Sequence, residues 1–154
     1  MFRKDLEEII AANPKGIAGY FVHYPNAGHR FALPAARAAE CARTHGRFRE
    51  FVRLLLEKQD SLGIKSWGSY ALEVGLPDSA AIRACALDSR EVPRIAAGIA
   101  LGQKRFVAGT PTILINGWRM QGSPPKSELE RVIGELQKGK LPFGKTALLG
   151  VSSR

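Results

Sequence analysis

The chain has 154 residues, enough for one domain with its own core, and its 45% hydrophobic and 24% charged residues are ordinary for a globular protein. No apolar run approaches the roughly 18 residues of a membrane span, and residues 1–5 lead into an amphipathic stretch rather than a secretory signal. The net charge of +9 comes without a helix-turn-helix, a zinc knuckle or an RNP-like aromatic motif. This excludes a recognisable nucleic-acid module and leaves a basic surface that aids solubility or attracts acidic partners.

The first element is an amphipathic helix with Phe2, Leu6, Ile9 and Ile10 on one face, stopped at Asn13-Pro14 and Gly16. It opens without a capping residue, so the sequence reads as cut into rather than begun. Residues 17–23 read as a short, largely buried strand closed by Tyr24-Pro25-Asn26. A loop through Gly28 and His29 leads to Pro34 in the first turn of a helix. Ala35, Ala38, Ala39 and Ala42 give that helix a small-residue stripe suited to close packing.

Phe48, Phe51, Val52, Leu55 and Leu56 form the apolar face of the next helix. Residues 67–74 make a short helix ending at Gly75, and Asp78 or Ser79 caps a further one carrying Ile82 and Cys85. Ser89 is expected to cap a longer helix, with Pro93 in its first turn and Val92, Ile95, Ala96, Ile99 and Phe106 toward the core.

After Val107-Ala108-Gly109-Thr110-Pro111 comes a strand over residues 112–115. Asn116-Gly117 is a two-residue hairpin turn, and residues 118–121 return. Trp118 is expected to pack against the last helix or cover the hairpin face. Pro124-Pro125 introduces that helix, with Leu129, Val132, Ile133 and Leu136 on one face. The order of elements predicts an α/β chain with a mixed sheet, residues 1–137 as the domain and 138–154 as a basic tail.

Cys41 and Cys85 stand 44 positions apart, too far for a local redox pair. With His23, His29 and His45 they give no metal-ligand spacing, so no metal is expected. The two thiols are either buried small hydrophobes or one long-range disulfide. His23 and His29 flank the exit of the first strand. Each is read as a surface or hydrogen-bonded residue rather than as an acid–base group.

The most specific chemical signal is Gly109-Thr110-Pro111-Thr112, followed by Ile113-Leu114-Ile115-Asn116-Gly117. Proline is normally excluded from a strand because it has no N–H for the ladder. It is tolerated at a strand's mouth with a cis Thr110–Pro111 bond. Such a turn leaves the Thr110 backbone free to pair with an extended polypeptide in the manner of an added strand. The alternative is an ordinary loop before a hairpin.

Residues 107–117 and the helix before them resemble the corresponding part of DsbA-like thioredoxin-fold thiol–disulfide oxidoreductases. The resemblance spans about residues 2 to 140. It includes Phe31-Ala32-Leu33-Pro34-Ala35-Ala36, Ala38-Ala39-Glu40-Cys41-Ala42, Phe48-Arg49-Glu50-Phe51, Gln59-Asp60-Ser61-Leu62-Gly63 and Cys85-Ala86-Leu87-Asp88-Ser89. It implies a thioredoxin-like α/β fold with a helical insertion at about residues 34–88. It also implies that Pro111 is the cis-proline facing a redox disulfide and that Thr110 and Pro111 hold polypeptide substrates. The expected partners are extended polypeptides or a redox partner protein, with no nucleic acid, no metal and no cofactor. The resemblance further implies an extracytoplasmic (periplasmic or cell-envelope) location, with any membrane anchor outside this chain.

One departure is plain. The family's Cys-x-x-Cys sits at the N-terminus of the first core helix, where the helix dipole favours a thiolate, and this sequence contains none. By the same comparison the N-terminal central strand is expected to be missing, and the chain is expected to be truncated. Without that strand, the elements at residues 17–23 and 112–115 must close up, accept another strand or leave unpaired edges. Some relatives carry a second, structural disulfide at positions that Cys41 and Cys85 resemble, with two free buried thiols as the alternative. A chain without the redox pair is expected to show no dithiol turnover, which leaves a non-catalytic peptide-binding module as the other reading. Glutathione-dependent relatives of the fold place a Ser near the start of the first helix. No Ser or Thr precedes Asp5 here.

Overall fold

The computed structural model describes residues 2–143, with the side chains of Phe2 and Arg3 left out, and Lys145 and Arg154 of the expected basic tail lie outside the described residues. Seven α-helices and a two-stranded sheet follow in the order α1 (Phe2–Ala12), α2 (Ala32–Thr44), α3 (Phe48–Glu57), α4 (Trp67–Glu73), α5 (Ser79–Leu87), α6 (Pro93–Lys104), β1 (Thr112–Ile115), β2 (Trp118–Gln121) and α7 (Lys126–Gln137). A 3-10 turn, Gln59–Ser61, lies between α3 and α4. The chain divides into two compact units, residues 1–21 with 107–154, and residues 22–106.

The first unit holds α1, the hairpin and α7. Asn116 and Gly117 take φ values of 47° and 89°, the left-handed pair that a two-residue hairpin turn demands. This sets the antiparallel register Thr112↔Gln121 to Ile115↔Trp118. Strand alternation then turns Met120 into a core with Ile9, Leu129 and Val132, and Ile113 and Ile115 pack against it. Trp118 is buried and lies 5.7 Å from the Phe143 ring.

The second unit is helical. Ala38, Ala39 and Ala42 are almost fully buried, as a small-residue stripe allows, and they share a core with Phe51, Leu55, Trp67, Tyr70 and Ile82. Ser66 and Asp78 cap α4 and α5 with side-chain oxygens, each satisfying a backbone N–H that the helix start leaves free.

Four expectations are corrected. Residues 17–23 form no strand, and the sheet of the described residues is a single antiparallel pair rather than a mixed one. A strand exists only as a paired element, and here neither β1 nor β2 lends an edge to that segment. Far from being buried, Tyr20, Phe21 and Val22 are 86%, 55% and 45% exposed. Ser89 caps no helix. Asp88 turns the chain by accepting from the Arg90 N–H, and α6 begins at Pro93 behind Val92. Phe106 is 81% exposed, since the chain leaves α6 there with a positive φ of 52° that carries the side chain off the helical face.

Candidate functional site

The proline loop enters β1 on the hairpin side of the first unit. The Thr110–Pro111 bond is cis, and both residues are exposed. The Pro111 carbonyl accepts from the Gly122 N–H at 2.8 Å, which extends the hairpin ladder by one step beyond β1. On the other side, the Thr112 hydroxyl donates to the Gly109 carbonyl at 2.6 Å and closes the turn. Between these two fixed points Thr110 makes no hydrogen bond among the described residues. Its backbone N–H and C=O are therefore unpaired among the described residues.

The thiols are elsewhere. Cys41 on α2 and Cys85 on α5 form a disulfide with Cα atoms 6.2 Å apart, and no free cysteine remains. The four-helix core around Cys41 is thereby tied across a sequence separation of 44. Among the described residues no group of three His, Cys, Asp or Glu side chains converges as metal ligands.

His23 is buried and hydrogen-bonded. Its Nε2 lies 2.7 Å from Glu40 Oε1, and its ring meets Phe48 edge-on at 5.7 Å. Arg43 grips the same carboxylate through Nε and Nη2, both at 2.9 Å, while its guanidinium stacks 3.5 Å over Phe48. Arg94 stands 3.8 Å from Glu40 as well. Burial pushes the His23 imidazole below its ordinary value, overriding the hydrogen bond and charge of Glu40 that favour the proton. For Glu40, burial alone would raise the carboxyl. The hydrogen bonds and charges of Arg43 and His23 outweigh it and hold the group below the usual carboxylate range.

This network was not visible as a unit in the sequence, where 17 positions separate His23 from Glu40. The available signal was Glu40 itself, the one carboxylate among the alanines of α2. His29 is exposed and joins no side-chain cluster among the described residues.

Comparison with curated proteins finds relatives of part of the chain. Na(+)/H(+) antiporter NhaA 3 of Salinispora tropica is 38% identical over 94 residues, covering 61% of this chain and 14% of that protein. Na(+)/H(+) antiporter NhaA 1 of Salinispora arenicola is 38% identical over 95 residues, covering 62% and 14%. The chain therefore spans a small part of the curated relatives it matches. No solved structure is significantly similar to it. A family model described as Thioredoxin matches residues 2–135, from the first helix through the proline loop and hairpin into the last helix. With that match over most of its length, the chain belongs to the thioredoxin family.

Proposed function

We propose that this chain is the polypeptide-holding part of a DsbA-like thiol–disulfide oxidoreductase whose Cys-x-x-Cys lies outside these 154 residues. The observation that carries the reading is the exposed, unpartnered Thr110 backbone, held between the Gly109–Thr112 turn and the Pro111–Gly122 ladder step. Two fixed points make it a preformed edge for an extended substrate. The open side of β1 also supports the reading, because β1 pairs only with β2 among the described residues. A central strand leading to a redox pair would lie along that side. Oxidised Cys41 and Cys85 fit an extracytoplasmic location. The antiport named for the relatives is not part of the proposal, since the shared stretch is 14% of each.

A second reading, a non-catalytic peptide-binding module, is favoured by the cysteines themselves, which are bonded to each other and leave no thiol to exchange at the loop. Both readings are tested by fluorescence anisotropy with a labelled extended peptide. Thr110→Pro removes the pairing N–H and is expected to weaken binding roughly tenfold, about the contribution of one hydrogen bond, while Thr110→Ala leaves it unchanged. Equal binding by both variants overturns backbone pairing. Insulin reduction separates the readings. The chain as given is silent under either, whereas a form extended before Met1 by a strand and Cys-x-x-Cys turns over only under the first.

A further inference from the structure

The Cys41–Cys85 disulfide is lopsided. Cys41 is 5% exposed within the helical core, whereas Cys85 on α5 is exposed. The reason is the register of α5. Ile82 and Ala86, four positions apart, are each 1% exposed and dock the helix on the core. Cys85 falls beside that face, at its margin. Of the two ends of the bond, the Cys85 end is the one that a reagent in water can approach.

We propose that Cys85 is a site of reversible S-thiolation by low-molecular-weight thiols, an activity separate from any exchange at the proline loop. An incoming thiolate attacks Cys85 Sγ along the line of the existing bond. The new S–S bond joins the small thiol to Cys85, the Cys41–Cys85 bond breaks, and Cys41 Sγ leaves with the electron pair and takes a proton. The balance is one thiol and one protein disulfide converted to one mixed disulfide and one protein thiol, with no outside oxidant. Direction is set by access and by the leaving group. Attack at Cys41 is closed by burial.

The fold tolerates the opening. Ile82 and Ala86 hold α5 to the core without the bridge, and Asp78 caps its start by accepting from the Ala81 N–H at 2.9 Å. The thiolated chain therefore keeps its helices and gains one protected thiol.

The test treats the full oxidised chain with reduced glutathione in native buffer, quenches with acid and maps the products by mass spectrometry beside circular dichroism. The expected result is one glutathione per chain on the Cys85 peptide, a free thiol on the Cys41 peptide and an unchanged helical spectrum. An adduct on Cys41, an even distribution, or an adduct formed only with denaturant overturns the proposal. Single-cysteine forms give an independent measure. With a chromogenic disulfide reagent, Cys85 in Cys41→Ala is expected to react at least ~100-fold faster than Cys41 in Cys85→Ala, the contrast between an accessible and a buried thiol. Equal rates in folded variants sink the idea.

Discussion

Replacing Glu40 by alanine tests the buried network most directly. The carboxylate is 9% exposed and accepts from His23 Nε2 and from two nitrogens of Arg43. Its removal strands the imidazole N–H in a place only 7% exposed, at a cost of about 1–3 kcal/mol. Arg43 is 35% exposed and can rehydrate, so its lost pair adds about 1 kcal/mol at most. The expected loss is therefore about 2–4 kcal/mol, read from urea unfolding at pH 7.5. Glu40→Gln keeps an acceptor for His23 but loses the charge, and is expected to cost roughly half as much.

The pH dependence gives a second readout. His23 has its folded pKa lowered, so as pH falls below the ordinary imidazole value of about 6.5 the unfolded chain takes up a proton that the folded chain refuses. Stability is expected to be level above that value and to decline as pH falls below it. Glu40 is also lowered, and its stabilisation, complete above the ordinary carboxyl value, is lost at more acid pH as the folded group protonates. His23→Gln removes the first decline and leaves the second. An unaltered slope between pH 7 and 5 in His23→Gln, or less than about 0.5 kcal/mol of coupling between the two sites, would refute the network.

Two further outcomes follow from packing and connectivity. Gly98→Ala sets a methyl group on the His23 backbone carbonyl, which cannot swing aside, and is expected to cost about 1–3 kcal/mol despite alanine's better helix propensity. Chemical denaturation of that variant checks it, and a stability gain would show that the close approach is not kept in solution. Replacing both cysteines by alanine frees a loop of 44 positions in the unfolded chain, so a loss of about 4 kcal/mol is expected from urea unfolding. A loss below 1 kcal/mol would mean the unfolded chain is already constrained there.

Much of this architecture was legible because helices announce themselves locally. The periodic faces of α3 and α7, the stop at Gly75 and the Asp78 cap depend on residues within a turn or two of one another. The Asn116-Gly117 hairpin is equally local, as is the proline loop. Residues 17–23 were misread for a different reason. An apolar run looks the same with or without a strand beside it, and pairing is a property of the neighbour. Phe106 fits the helical period but falls where the chain turns out of α6. Both failures concern what lies across from a residue, as does the His23–Glu40 pair, which no spacing rule connects.

The two cores differ in a way that bears on the proline loop. Among the described residues, Ile9, Met120, Leu129 and Val132 make up the buried cluster on the hairpin side, whereas the helical cluster has twelve buried members and a covalent tie. A two-stranded hairpin adds little cohesion of its own. Amide hydrogens around β1 and β2 are therefore expected to exchange through small local openings, well below the energy of global unfolding, while those of α2 and α4 wait for larger ones. A polypeptide that added a strand beside Thr110 would fasten the unit with the smaller of the two buried clusters. Its affinity would then include the work of holding that cooperative unit closed, so ligand binding and local folding would become one equilibrium.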